Sequence, residues 1–251
     1  MPAFTDTAIC IRRWDFSETS QTVSLLTREH GVIRGIAKGA KREKGNFSGG
    51  IDLLTRGQIV ALARGGDVSR SGGESGLATL TNWNLEEVYR AIRSFLPANR
   101  AALYIADLLH HMLKEADPHP TLFDAFDAAL LALADRDRIE LTLLTMQWSI
   151  LCETGYQPEL HRNAETGAEL PERAATLAFS PGAGGMVDDV PGPDRWRVRM
   201  ETIQLLRAIA AGSSEGTPVA AARANRLLAS YIREILGVEP PAMRWAFSEG
   251  P

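Results

Sequence analysis

Cysteine is scarce in this chain. Cys10 and Cys152 stand far apart, each inside an apolar stretch, which excludes a disulfide framework and suits buried free thiols in a reducing compartment. No apolar run approaches the ~20 residues that a membrane-spanning helix needs. The N-terminal MPAFTDTAICIRRWD lacks the basic start and long apolar core of a secretory leader. A soluble, cytoplasmic protein with no membrane partner is expected. Positive charge in bulk is missing too: the formal net charge is -4, which excludes coating of a polyanion by overall charge. Catalytic motifs are absent as well, with no HExxH, GxSxG, Walker or GxGxxG pattern. The vicinal His110 and His111 fall mid-helix, where neighbours point about 100° apart and chelate one ion poorly. The vicinal Asp188 and Asp189 read as a solvated turn. An enzyme is not expected, and neither is a cofactor.

What is present is uneven. Through Asn82 the chain carries 11 Lys and Arg against 8 Asp and Glu, whereas the remainder holds 16 against 23. A polyanion would therefore meet the N-terminal part. That part has the pattern of short strands: Thr7–Trp14, Thr22–Thr27, Val32–Ala37, Gln58–Arg64 and Leu77–Trp83, with turn residues between them. Such spacing predicts a small barrel or sandwich. In the first strand Ala8, Cys10 and Arg12 alternate with Ile9, Ile11 and Arg13. From Asn84 the pattern becomes helical, with Asn84 as cap and Pro97 as terminator. Helices are expected over Arg100–Lys114, Thr121–Ala134, Ile139–Thr154, Val198–Ala211 and Val219–Leu236. The expected fold is α+β, with a β-domain over 1–83 and a helical domain over 84–251. A loop-rich insert over 156–197 interrupts the latter, with short strands at Thr176–Phe179 and Met186–Val187.

The richest positive feature is Ile33–Gly50, IRGIAKGAKREKGNFSGG. A strand opens into a glycine-bearing, flexible loop with Arg34, Lys38, Lys41, Arg42, Lys44 and the ring of Phe47. Cations serve phosphates and a ring serves a base face, so the stretch suits a nucleic-acid strand. Arg12 and Arg13, at the end of the first strand beside Trp14, join these as candidate DNA contacts. Phe16 and Trp83 are further rings near strand ends. In the helical part Arg136 and Arg138, and Arg223, Arg226 and Arg233 on one helix, are cationic beside apolar faces and could receive an acidic peptide.

The stretch RRWDFSETSQTVSLLTREHGVIRGIAKGAKREKGNFSGGIDLLT resembles the start of the bacterial recombination mediator family RecO, with TREHG and AKGAKR its most specific parts. ILCETGYQPEL at Ile150–Leu160, and Phe179-Ser180-Pro181 followed by Gly184-Gly185, resemble later elements of the family in the same order. The resemblance implies an N-terminal OB-fold followed by a helical domain. It implies a nucleoid-associated protein that binds single- and double-stranded DNA and anneals complementary strands. Its implied partners are RecR and the acidic C-terminal tail of the single-stranded-DNA-binding protein, and its implied role is to help load RecA. An interaction adaptor of the repair machinery with little DNA affinity is the alternative. Many members of the family carry a four-cysteine zinc site. Here the matching positions are Asn163, Thr166, Asp188 and Pro191, which cannot replace thiolates or imidazoles. No zinc is expected, and packing of Tyr156, Leu160, Leu177 and Phe179 is expected to hold the insert instead.

Overall fold

The computed structural model describes residues 3–42, 45–47, 49–62, 76–171, 174–192, 194–213 and 215–247. Lys44, and the glycine- and serine-rich stretch over 69–75, lie outside the described residues. The described chain divides into two compact units, Met1–Ala134 and Asp135–Pro251.

In the first unit the period-two alternation produces five strands: β1 (Ala3–Asp15), β2 (Gln21–Thr27), β3 (Gly31–Ala37), β4 (Arg56–Leu62) and β5 (Ala78–Glu87). They pair in the order β1-β2-β3-β5-β4, and β4 returns to β1, so each strand has two neighbours. The result is an OB-fold-like barrel. β1 reaches both neighbours because it is long: Ala3–Ile9 pairs with β4 and Ala8–Asp15 with β2. Inside lie Ala8, Cys10, Val23, Leu25, Ala37, Ile59, Ala61, Leu80 and Trp83. Cys10 is fully buried, and burial pushes its thiol up to about 12, so it behaves as a small apolar side chain. The β2–β3 turn requires Gly31. Its φ is +71°, and a Cβ there would lie 2.2 Å from the backbone oxygen of Asp117.

The helical register begins later than Asn84 suggests. Asn84, Leu85 and Glu87 pair with Gln58, Gly57 and Arg56, so β5 continues through the expected cap. Cross-strand pairing outweighs a local capping preference here. Helix α1 (Arg90–Ser94) follows Tyr89, which sits in the left-handed region. Pro97 does not end a helix; it lies in the first turn of α2 (Leu96–Met112), where a missing N–H costs nothing. Helix α3 (Pro120–Ala132) likewise opens on proline. These helices belong to the barrel's unit. α3 is fastened by Arg28 Nε and Nη2 donating to both oxygens of Asp124 at 2.9 and 2.8 Å, and by Asp127 accepting from Arg56 and Tyr89.

The second unit packs α4 (Ile139–Glu153), α5 (Met200–Ala210) and α6 (Pro218–Leu236), with a short α7 (Met243–Ala246) near the end of the chain. Gln147 on α4 and Asn225 on α6 are fully buried and satisfy one another, Gln147 Nε2 donating to Asn225 Oδ1 at 2.8 Å. Asn225 Nδ2 in turn donates to Glu140 Oε2 at 2.7 Å. Cys152, expected to be buried, is exposed on α4. The insert carries a sheet of order β7-β6-β8, formed by β6 (Thr176–Ser180), β7 (Gly185–Val187) and β8 (Trp196–Arg199). β8 takes the residues at which a helix was expected to begin, because Trp196–Arg199 pairs with Thr176–Phe179. Leu160, Leu177 and Phe179 are buried as expected, but Tyr156 is 48% exposed. Among the described residues, no helix is long and apolar enough to cross a membrane.

Candidate nucleic-acid interface

A bulge decides which way the arginines of β1 face. Cys10 pairs with Leu25 but Arg12 with Ser24, leaving Ile11 as the extra residue. Strict alternation puts Arg12 with Ala8 and Cys10, whose side chains are inside the barrel. The bulge instead moves Arg12 to the outer face, on one row with Ser24 and Arg34 across β1, β2 and β3. Trp14, two residues on, shares that face and pairs with Thr22. The Arg12 guanidinium carbon lies 5.3 Å from the Trp14 ring centroid and that of Arg34 6.0 Å. An indole between two cations is polarised for contact with both. Arg13 takes the Val23 row and leaves this group, donating to Asp52 Oδ1 at 2.7 Å.

Helix α2 borders the same face. His110 Nδ1 is 3.2 Å from Ser24 Oγ, and its ring meets Trp14 edge-on at 5.9 Å. Burial, then the neighbouring Arg12 and His111 charges, hold His110 down to about 4, so it is neutral near pH 7. Asp107 bonds His111, raising its pKa, and lies 3.6 Å from Arg12. Arg34 has a similarly long pair, 3.6 Å to Glu115. Both arginines remain partly exposed.

The basic loop that follows β3 is tied down at intervals. Lys41 N–H donates to Thr19 O at 3.1 Å, Asn46 Nδ2 to Thr81 O at 3.0 Å, and Ile51 N–H to Gln21 Oε1 at 3.0 Å. Ala40, Phe47 and Ile51 enter the barrel core. Phe47 is 5% exposed, so its ring closes the core and is not available to stack on a base. The apolar contacts of a barrel end claim a ring that the sequence placed among cations. Trp14, half-buried between two arginines, is the ring the face presents. Phe16, 63% exposed just beyond β1, is a second.

The cations of this stretch have unequal freedom. Lys41 is paired to Asp15 at 2.9 Å, which holds that carboxyl below its usual range. Lys38 and Arg42 are exposed and have no side-chain partner among the described residues. The structure thus brings Arg12, Arg34 and Trp14 onto one face, leaves Lys38 and Arg42 exposed in the stretch that follows β3, pairs Lys41 with Asp15, and separates Arg13 and Phe47 from that face. The bulge was the missing signal: no local pattern marks Ile11 as the residue that breaks alternation.

In the second unit Asn163, Thr166 and Asp188, three of the four positions expected to match cysteines, form a polar clasp. Asn163, 3% exposed, donates from Nδ2 to Asp188 Oδ2 at 2.9 Å. Its Oδ1 accepts from the N–H groups of Glu165 and Thr166 at 3.0 and 3.2 Å. An amide, a hydroxyl, a carboxylate and a proline do not fit a tetrahedral thiolate site. A separate groove of about 330 Å³ is lined by Trp196, Arg197, Arg199, Arg223, Arg226 and Leu227, among others. Arg223 pairs with Glu201 at 3.2 Å and Arg197 with Asp189 at 3.1 Å, while Arg226 is exposed.

Residues 1–87 match the family model described as Recombination protein O N terminal, and residues 78–244 that of Recombination protein O C terminal. The chain is 32% identical over 208 residues to the DNA repair protein RecO of Rhodopirellula baltica, spanning 83% of this chain and 74% of that one. It is 28% identical to the DNA repair protein RecO of Dehalococcoides mccartyi, over 96% of this chain and 94% of the other. With the protein of the same name from Roseiflexus it shares 31% identity over 94% and 82%.

Proposed function

Because the chain belongs to the recombination protein O family, we propose that it is a non-enzymatic mediator of DNA repair and recombination, acting on nucleoid DNA in the cytoplasm. It binds single- and double-stranded DNA through the outer face of β1–β3 and the loop that follows. The observation that carries this reading is the grouping of Arg12, Trp14 and Arg34 on one face, followed by the exposed cations Lys38 and Arg42, which have no side-chain partner among the described residues. Phosphates pair with the guanidinium and ammonium groups, and a base stacks on the indole. Local charge suffices, so an acidic chain can hold a polyanion on one face.

Annealing then has an electrostatic cause. Cations lining a solvent-facing sheet screen the repulsion between two strands for long enough that base pairing nucleates. The acidic tail of a single-stranded-DNA-binding protein suits the groove at Arg197, Arg199, Arg223 and Arg226, where apolar Trp196 and Leu227 adjoin four guanidiniums. Docking of RecR and loading of RecA complete the role. The polar clasp at Asn163 holds this corner of the insert, and the chain works without metal.

The test is annealing of complementary oligonucleotides, with and without the cognate single-strand-binding protein. The reading expects the wild-type chain to accelerate annealing in both conditions, and the Arg12→Ala, Arg34→Ala double variant to do so poorly. A folded wild-type chain that neither anneals nor shifts DNA at moderate salt would instead be an adaptor.

A further inference from the structure

The family-like Phe179-Ser180-Pro181 and Gly184-Gly185 element takes no part in the DNA face, and its structure forms one wall of a second cavity. Pro181–Gly184 make the turn between β6 and β7, with Gly184 at φ +71°. Gly185 packs so close that a Cβ there would lie 2.5 Å from Glu159 O. Opposite the turn stand Tyr156, Trp196 and Tyr231, with Asp194, Glu234 and Ile235 completing a cavity of about 600 Å³. Phe179 supports the rings from beneath, stacked on Trp196 at 5.8 Å and edge-on to Tyr231 at 5.1 Å.

Three properties of this cavity point to one class of ligand. It is aromatic, with a half-exposed tyrosine and a partly exposed tryptophan at its surface. It is acidic, because two carboxylates and no cationic residue line it among the described residues. Asp194 has no ion-pair partner among the described residues, and Glu234 has only the long contact of 3.4 Å to Arg233. Third, Tyr231 is 95% buried, yet its hydroxyl opens on the cavity and has no hydrogen-bond partner among the described residues. The hydroxyl stands 3.4 Å from where a Cβ on Gly184 would be, so a larger residue in the turn would crowd it. A phenol is protonated at neutral pH, and burial raises this one further, so its oxygen lone pairs can accept.

We infer that this cavity receives an arginine or lysine side chain presented by a protein partner. The cation sits against the faces of Tyr156 and Trp196, accepts the counter-charge of Asp194 and Glu234, and donates to the Tyr231 hydroxyl. DNA suits the cavity poorly, since its phosphates would face two carboxylates with no cation among the described lining residues. The site is separate in chemistry from the basic groove that Trp196 also lines, which repels such a ligand.

The probe is N-acetyl-L-arginine amide, titrated into the full chain while the indole N–H signals are followed by NMR. N-acetyl-norleucine amide and N-acetyl-glutamate amide serve as apolar and acidic comparisons. A saturable shift of one tryptophan is expected with the arginine compound and not with the other two. The Asp194→Asn, Glu234→Gln double variant, which keeps shape and removes charge, should weaken that binding about three- to tenfold. Tyr231→Phe should weaken it further while leaving the fold's amide spectrum unchanged. Equal response to the norleucine compound would make the site a plain apolar pocket and overturn the inference. No saturable shift, or arginine binding indifferent to both variants, would overturn it as well.

Discussion

The six cations described in the DNA face and its neighbourhood should not contribute equally, because their existing partners differ. Lys38 and Arg42 are exposed and unpaired among the described residues, whereas Arg13 and Lys41 are held by Asp52 and Asp15 at 2.7 and 2.9 Å. A free cation releases one counterion's worth of salt dependence when it meets a phosphate. A paired one must first give up its carboxylate. If Lys38 and Arg42 each meet one phosphate of a single strand, replacing both with alanine flattens the slope of log K against log salt by about 1.4. That corresponds to roughly sevenfold less sensitivity between about 50 and 200 mM salt. The Arg13→Ala, Lys41→Ala pair, with the same formal loss of charge, should flatten the slope by less than about half as much. The converse follows for Asp15→Asn, which frees Lys41 and should tighten binding. Fluorescence anisotropy of a labelled oligo-dT strand, titrated at four or five salt concentrations, reads all three. Equal slopes for the two double variants would refute the argument from pairing, and unchanged slopes for both would remove the loop from the interface.

Further outcomes separate the two rings, the histidines and the clasp. Trp14→Ala should lower single-strand affinity by about 1–3 kcal/mol with little change in urea midpoint, whereas Phe47→Ala should cost about 3–5 kcal/mol of stability. The reverse assignment in binding and denaturation curves would return Phe47 to the interface. His110 binds fewer protons folded than unfolded between its ordinary value of 6.5 and about 4. Its contribution is therefore complete above pH 6.5 and lost as pH falls through that window. His111, raised by Asp107, acts in the opposite sense. Thermal melts of His110→Gln against wild type from pH 4 to 7 isolate the first effect, which fails if the two curves stay parallel. Asn163→Ala should destabilise the chain by about 1 kcal/mol, leaving two part-buried N–H groups and Asp188 without their amide partner. Metal analysis of the purified wild-type chain should find no stoichiometric zinc, and one tightly bound zinc per chain would contradict the clasp.

Much of the architecture is legible in the amino-acid order. Alternation marks the barrel strands to within a few residues, and the apolar spacing of α3, α4 and α6 locates those helices closely. Errors arise where distant pairing overrides a local signal. Asn84 has the company of a helix cap, but Gln58 across the sheet keeps it extended. Val198 has helical spacing to its C-terminal side, yet Leu177 pairs with it as a strand. The cations of the candidate face are visible in the sequence as a cluster. Their grouping is not visible, because it rests on one bulged residue. Phe47 illustrates the same limit: a ring among lysines reads as a stacker until the barrel's open end is seen to need it.

The most direct test of the DNA face places a photoreactive base on it. An oligonucleotide carrying 5-iodo-deoxyuridine, bound to the full chain and irradiated, should form adducts that map to the peptide containing Trp14. Those adducts should diminish when Arg12 and Arg34 are both replaced by alanine. Adducts confined to residues 135–251, with the Trp14 peptide unmodified, would contradict the account.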